Sequence, residues 1–193
     1  ALAEILSEKI ENELSKLELP KVKFKVYVSQ RNEMSLNGAN DVEFLISANA
    51  GEPLKPLVKI ASGGEISRIM LAVKTVFAKA DDIDTVIFDE IDSGISGRTS
   101  QAVAEELAEL ALNRQIICIS HQPIIAAMAD KYFHISKTLT DKETKITVQQ
   151  KEGNERILAL SHLASGSSQD VEAFNFSNKL IKQSEEFKET LKV

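Results

Sequence analysis

The sequence holds few of the residues that cross-link a chain or anchor it in a membrane. It has no tryptophan and a single cysteine, Cys118, which lies in the apolar run "IICI" and is typical of a thiol packed in a strand. No disulfide framework can therefore form within the chain. No apolar run approaches the roughly 20 residues that cross a bilayer, and the first residues lack the order of a secretory signal. We therefore expect a cytoplasmic protein without a membrane partner.

A strong excess of basic residues is also missing. The net charge of −6 argues against this segment being the main contact to a polyanion such as nucleic acid. The 193 residues, 43% of them hydrophobic, are enough to bury one substantial core, alone or with a small appendage.

The order of apolar patterns predicts an α/β fold. Residues 1–19 carry a helical stripe of leucine and isoleucine that ends at Pro20, and two alternating stretches, "KVKFKVYV" and "DVEFLIS", predict strands with one wet face. Further on, the continuous apolar runs "TVIF", "QIICI" and "KYFHI" alternate with helical segments. Such runs suit strands buried on both faces, so we expect a mainly parallel sheet flanked by helices. A last strand near "TKITVQQ" and helices from about Glu155 and Asp170 would close the chain.

The stretch "ASGGEISR" puts two glycines where a helix begins. Ser62 and Glu65 have the spacing of a capping box, so an ordinary helix cap is one interpretation. A cap does not need Gly63 and Gly64, each of which costs on the order of 1 kcal/mol at a helical position relative to alanine. Side-chain-free residues at the positive end of a helix dipole let an anion approach the backbone amides, so a phosphate site is the other interpretation.

The stretch "VIFDEIDSGISG" ends a predicted strand with Asp89 and Glu90. Carboxylates at the carboxyl edge of an α/β sheet lie where such folds bind ligands. Asp89 could hold Mg²⁺ directly or through water, and Glu90 could orient or deprotonate an attacking water. A pair of acids that caps the next helix is the alternative. In "CISHQP", His121 at the end of the next strand could touch a transferring phosphoryl group or could be a structural cap.

Taken in order, these three motifs resemble the signature motif, the Walker B strand with its D-loop, and the switch histidine of the ATP-binding-cassette (ABC) superfamily. Within that superfamily, the run from Leu57 to Lys137 is similar to the RecN family of SMC-like bacterial DNA repair ATPases. The resemblance implies an ABC-type P-loop NTPase head, of which this chain would be the C-terminal lobe. ATP and Mg²⁺ would then be the cofactors.

The resemblance also implies roles for individual residues. The residues that would contact the γ-phosphate of an ATP held by a partner molecule are Ser62, Gly63, Gly64 and Glu65. Asp89 would serve Mg²⁺, Glu90 would polarise the attacking water, and His121 would contact the γ-phosphate. The D-loop across the dimer would consist of Asp92, Ser93, Gly94, Ile95 and Ser96. Other branches of the superfamily commonly have aspartate where Ser96 stands.

One motif of the family is absent, because no "GxxxxGK[ST]" phosphate loop occurs in these residues. RecN-like proteins carry it near the N-terminus of the full polypeptide, beyond a long antiparallel coiled coil. We therefore expect residues 1–19 to be the end of that coiled coil and residues 20–193 to be the C-terminal half of the head. This piece alone should hydrolyse no ATP, since it lacks the lysine and backbone cradle for the β- and γ-phosphates.

The partners implied are the N-terminal half of the same head, a second copy joined through an ATP sandwich, and DNA double-strand breaks reached by the full-length protein. A cytoplasmic, nucleoid-associated location follows from that role. Two alternatives stay open: a non-catalytic DNA-binding or interaction module that inherits the motifs, and half of another ABC- or SMC-type ATPase, including a transporter cassette.

Overall fold

The fold consists of six α-helices and seven strands in the part of the chain that is described. The computed structural model describes residues 1–36, 38–47, 49, 51–59, 63–78, 83–139, 144–167 and 170–192. The helices are α1 (Leu2–Lys16), α2 (Gly63–Ala78), α3 (Arg98–Ala111), α4 (Pro123–Met128), α5 (Gly153–Ser165) and α6 (Val171–Thr190). The strands are β1 (Lys23–Ser35), β2 (Gly38–Ser47), β3 (Lys55–Pro56), β4 (Thr85–Asp89), β5 (Gln115–Ile119), β6 (Tyr132–Leu139) and β7 (Thr144–Lys151). A 3₁₀ turn, Leu57–Lys59, follows β3.

Helix α1 is part of the main core. Ile10, Leu14 and Leu17 are fully buried, as expected for one face of an amphipathic helix. Side chains of α1 also accept hydrogen bonds from the edge of β1: the Phe24 amide donates to Glu11 Oε1 at 2.8 Å, and the Val26 amide donates to Ser7 Oγ at 2.9 Å. These bonds satisfy strand amides that a sheet edge would otherwise leave unpaired. The helix is therefore fixed to the antiparallel sheet by polar contacts as well as by burial.

The three sheets differ in strand direction. Strands β1, β2 and β3 form an antiparallel sheet, β4 and β5 form a parallel pair, and β6 and β7 form an antiparallel pair. The α/β class is confirmed, but the expectation of a mainly parallel sheet is met only by β4 and β5 within the described ranges. The reason is connection length: two residues separate β1 from β2 and four separate β6 from β7, whereas parallel neighbours need a crossover such as α3.

The expectation that the central strands are buried on both faces is wrong for the parallel pair. Phe88 on β4 is buried, but Ile87 is 64% exposed, and on β5 Ile117 and Ile119 are 43% and 49% exposed. These three isoleucines share one face, because side chains alternate along a strand and Ile87 pairs with Ile117. The pair β6–β7 likewise exposes a row of apolar side chains, namely Phe133, Ile135, Ile146 and Val148. Within the described residues, two sheet faces are therefore uncovered.

The two C-terminal helices begin close to where the sequence predicts them. Asp170 caps α6, since its Oδ1 accepts from the amides of Glu172 at 2.9 Å and Ala173 at 3.1 Å. The Arg156 guanidinium on α5 donates to three carbonyls at the end of α4, those of Ala126, Ala127 and Ala129. Helices α4, α5 and α6 thus form a second packed unit after β5. None of the described helices has the length and apolar character needed to cross a membrane.

Candidate functional site

The first helix after the antiparallel sheet starts at the double glycine, as predicted. Gly63 and Gly64 are the first two residues of α2, and Glu65 stands in its first turn. Ser62 lies outside the described residues, so the capping box stays a prediction. Further along α2, the Arg68 guanidinium donates to the Leu17 carbonyl at 3.2 Å, and burial lowers the pKa of Arg68. The start of α2 is therefore anchored to the end of α1, with two glycines at its amino end.

The second predicted motif lies at the end of β4. Asp89 is the last residue of the strand, Glu90 follows it, and both side chains are exposed. Glu90 has a φ of 51°, a left-handed conformation that costs a non-glycine residue about 1–2 kcal/mol. Its amide donates to the Ile119 carbonyl at 3.2 Å, so the strained residue is tied to the end of β5. Strain of this kind concentrates at functional sites, where the surrounding structure maintains it.

The turn after Glu90 exposes part of the predicted D-loop and buries the rest. Two backbone hydrogen bonds shape it, from the Ser93 amide to the Glu90 carbonyl at 3.0 Å and from the Ile95 amide to the Asp92 carbonyl at 3.3 Å. Ile95 is buried, whereas Ser93, Gly94 and Ser96 are exposed. Gly97 ends the turn with φ 56° and ψ −123°, a conformation open essentially to glycine alone, and α3 begins directly after it.

Asp92 joins the loop after β4 to the loop after β5. Its side chain is fully buried, and its Oδ2 accepts from Ser120 Oγ at 2.7 Å, from the His121 amide at 2.9 Å and from the Gln122 amide at 3.1 Å. The Nδ1 atom of His121 also lies 3.1 Å from the same oxygen. Gln122 returns a bond from its Nε2 to the Ile95 carbonyl at 3.1 Å. The side chain of Asp92 is therefore used inside its own molecule, and the contact across a dimer predicted for the D-loop stays a prediction for the exposed residues of the turn.

The parallel pairing explains why these residues meet. Asp89 and Ile119 are register partners at the ends of β4 and β5, so the two following loops start side by side. Asp89, Glu90 and His121 thus end or follow two adjacent strands at one edge of the sheet. Ser120 and Gln122 were missed by sequence reasoning. The sequence shows only that polar residues follow both strands. This pattern becomes informative when the two strands are known to pair.

The electrostatics of this edge are negative. Burial raises the pKa of the Cys118 thiol on β5 to about 12, and the charges of Asp92 and Asp89 contribute to the rise. The free cysteine therefore stays a neutral thiol and is no nucleophile.

Mg²⁺ fits the carboxylate of Asp89. In the described ranges, the Asp89 carboxylate has neither a hydrogen bond nor an ion pair. An exposed carboxylate is a ligand that Mg²⁺ accepts alongside water and phosphate oxygens. No group of three histidine, cysteine or acidic side chains that could hold a metal ion occurs among the described residues. Any Mg²⁺ at this edge must therefore take most of its ligands from a nucleotide, from water or from other parts of a larger protein.

Solved structures with this arrangement of helices and strands define the class. The chain superimposes on the SMC head domain with a coiled coil and joint from Pyrococcus yayanosii with a TM-score of 0.63 and 21% identity, covering 84% of this chain and 29% of that one. It also superimposes on an SMC ATPase from a study of ATP-driven dimerization and DNA-stimulated activation, with a TM-score of 0.52, 24% identity, and coverage of 77% and 85%. The fold is that of part of an SMC head domain.

A comparison of the amino-acid sequence with known proteins finds relatives of one kind. No protein-family model matches the chain. The chain is 37% identical to the DNA repair protein RecN of Bacillus subtilis over 97% of its length, and 39% identical to RecN of Treponema pallidum over 94%. It spans only 35% and 33% of those two relatives, about a third of their length. In sequence, the chain is similar to about a third of the length of these RecN proteins.

Proposed function

We propose that the chain is the C-terminal part of an ABC-type ATPase head of a RecN-like protein that acts in DNA double-strand break repair and recombination. One observation carries the proposal: β4 and β5 end in register, and Asp92 bonds their following loops together. This puts Asp89, Glu90 and His121, the residues that match the Walker B and switch-histidine motifs, at a single sheet edge. A chain that merely inherited the motifs would have no need to keep this arrangement.

Each of these side chains has a defined task in the proposal. Glu90, exposed and held at a fixed backbone conformation, orients a water molecule and takes its proton. His121, which is 68% exposed, contacts the γ-phosphate. Asp89 binds Mg²⁺ directly or through water. When bound, Mg²⁺ supplies positive charge that neutralises the phosphates during transfer.

The N-terminal part of the head is the partner that completes the site. The 193 residues contain no phosphate loop, and Ile87, Ile117 and Ile119 form an apolar face that nothing in the described chain covers. Burying apolar surface stabilises by about 25 cal/mol per Å², so this face favours a covering layer. We assign the covering layer to the N-terminal part, which also brings the phosphate loop. Residues 1–19 would continue into the coiled coil, with residues 20–193 as the head.

The start of α2 and the exposed turn after Glu90 serve a second copy. In this arrangement Gly63, Gly64 and Glu65, with Ser62 before them, meet an ATP bound by the partner head. Ser93, Gly94 and Ser96 lie along the same interface. An SMC ATPase of similar fold is described as undergoing ATP-driven dimerization and DNA-stimulated activation, which supports the same cycle here. The assembled protein would act on DNA in the cytoplasm, at the nucleoid.

A reconstituted head tests the proposal. The chain is combined with the N-terminal part of the same head, and ATP turnover and dimerisation are measured for the wild type and for Glu90→Gln. The variant keeps the size of the side chain but loses the basic carboxylate, so turnover should fall by roughly 10²–10⁴ while ATP-bound dimers accumulate.

Glu43→Gln is the matched control, because Glu43 is an exposed acid on β2 outside the site. It should leave turnover unchanged. Normal turnover by Glu90→Gln would remove the assignment of Glu90. A wild-type head that hydrolyses no ATP would favour a non-catalytic DNA-binding or interaction module.

A further inference from the structure

A cavity away from the strand ends has the size of a ligand site. It measures about 620 Å³ and is lined by residues of α1, α2 and α3, by the segment that follows α3 and by Leu191 after α6. Ligand pockets usually measure roughly 300–1,000 Å³. Among the described residues, none that matches the signature, Walker B or switch-histidine motif lines this cavity. A ligand bound there would therefore be separate from the nucleotide.

Two buried polar side chains on the cavity wall have unpaired atoms. Glu106 on α3 is 3% exposed and Thr75 on α2 is 5% exposed, and both line the cavity. The two side chains interact with each other, but neither Oε1 of Glu106 nor Oγ1 of Thr75 makes a hydrogen bond of normal geometry with a described residue. Buried polar groups are nearly always paired, because an unpaired acceptor has lost its water without replacement. These atoms therefore favour a ligand that donates hydrogen bonds to them.

The charges around the cavity favour a positively charged ligand. Three carboxylates line it, those of Glu13, Glu106 and Glu109, against two basic side chains, Lys16 and Arg114. Both basic side chains are already engaged: Lys16 pairs with Glu13 at 2.9 Å, and the Arg114 guanidinium donates to two backbone carbonyls. Burial and the charge of Glu13 raise the pKa of Glu106 to about 7, and Lys16 offsets this rise only in part.

The remaining wall of the cavity is apolar, which suits a ligand with an aliphatic stem. Ala78 and Leu110 are buried, and Leu112 and Leu191 add further apolar surface. In the part of the chain that the structure describes, no group of three histidine, cysteine or acidic side chains could hold a metal ion. A cation that fits both parts of the wall therefore carries its own N–H donors and a short hydrocarbon chain.

We propose that this cavity binds an organic cation, an ammonium or guanidinium group on a short aliphatic stem, whose N–H groups donate to Glu106 and Thr75. A free amine can supply this group, and so can a lysine or arginine side chain of the N-terminal part of the head. Hydrogen bonds to an ionised carboxylate are about twice as strong as those between neutral groups. The proposal does not depend on the ATPase function, because the cavity shares no described residue with the nucleotide motifs.

Calorimetry of the 193-residue chain with n-butylammonium tests the site. The neutral control ligand is n-butanol, which has the same stem and size but no charge. We expect saturable one-to-one binding of the amine with a Kd of about millimolar, the affinity open to a ligand this small, and no saturable binding of the alcohol. Equal binding of the two ligands, or no saturable binding of the amine, would overturn the proposal.

Two substitutions assign the binding atoms. Glu106→Gln removes the charge and keeps the shape of the side chain, so the Kd for the amine should rise by about tenfold or more. Thr75→Val removes the hydroxyl and should raise the Kd a few-fold. Glu43→Gln is the control, because Glu43 is an exposed acid on β2 outside the cavity, and it should leave the Kd unchanged. An unchanged Kd in Glu106→Gln would refute the assignment. If that variant fails to fold, the comparison of the amine with the alcohol in the wild type still decides.

The pH dependence of binding gives an independent measurement. The charged groups that face Glu106 are Glu13 and Lys16 on α1, Glu109 on α3 and Arg114 after it. The ligand needs the ionised carboxylate, and the pKa of Glu106 is about 7, so the affinity should be about tenfold weaker at pH 6 than at pH 8. The difference should disappear in Glu106→Gln. Equal affinity of the wild type at both pH values would contradict the role of Glu106.

The same titration on the reconstituted head distinguishes the two sources of the cation. Binding of n-butylammonium to the chain and to the head alike would identify a free amine as the ligand. Binding to the chain but not to the head would identify a basic side chain of the N-terminal part, which then already fills the cavity. ATP turnover has no part in this measurement, so an inactive head would remove the proposed function without touching the result for the cavity.

Discussion

A buried acid far from the strand ends offers a quantitative test of the fold. Glu106 on α3 is 3% exposed, and its Oε1 has no hydrogen-bond partner among the described residues. Oγ1 of Thr75 on α2, which is 5% exposed, likewise makes no hydrogen bond of normal geometry, although its interaction with Glu106 lowers the pKa of that carboxyl slightly. Burial raises the pKa of Glu106 to about 7, and the negative charge of Glu13 on α1 adds to the rise. Lys16, which pairs with Glu13 at 2.9 Å, opposes it.

The sign of the pH dependence follows from the raised pKa. The folded state holds the Glu106 proton more tightly than the unfolded state does, so this contribution to stability is complete below about pH 4.5 and is lost as the pH rises through about 7. At 1.36 kcal/mol per pH unit, that interval corresponds to about 3.4 kcal/mol. Part of this loss already occurs below pH 5, and Glu106 shares protons with Glu13, so we expect a change of about 2 kcal/mol between pH 5 and pH 8.

Glu106→Gln removes the charge and keeps the shape, so the free energy of unfolding of the variant relative to wild type should rise by about 2 kcal/mol between pH 5 and pH 8. Urea unfolding at both values measures it. Glu43→Gln is the control, because Glu43 is an exposed acid on β2 that does not contribute to the raised pKa of Glu106, and its effect should stay within about 0.5 kcal/mol. A relative stability that does not change with pH would refute the burial of an ionisable group at this position.

Two further predictions concern the nucleotide. Gly64→Phe in the complete head should abolish ATP-driven dimerisation, because the bulky side chain blocks the start of α2, and should leave ATP binding by single heads nearly unchanged. If ATP binding by single heads were lost to the same extent as dimerisation, the helix would act within its own head. Calorimetry of the 193-residue chain with Mg-ATP should show no binding tighter than about millimolar, roughly 4 kcal/mol, because no phosphate loop offsets the exposed carboxylates of Asp89 and Glu90. Micromolar binding by this chain alone would show that the nucleotide site is misassigned.

The sequence by itself determined the local elements and the order of the site residues. Helical spacing gave α1 and α2, the double glycine marked the start of α2, and Asp170 marked the start of α6. Continuous apolar runs located β4 and β5, with Asp89 at the end of one and His121 just beyond the other. These features depend on neighbours within about one helical turn or one strand, so they can be read along the chain.

Only the tertiary structure decided which of these elements meet and what they cover. The pairing of β6 with β7, the exposed face of Ile87, and the bonds from Asp92 to residues 28 to 30 positions away all depend on contacts between distant segments. Asp92 follows Glu90 by two positions and lies in the same polar stretch of sequence, yet one side chain is exposed and the other is fully buried. Nothing local distinguishes the two carboxylates, because the burial of Asp92 is created by a loop that folds against it from the next strand.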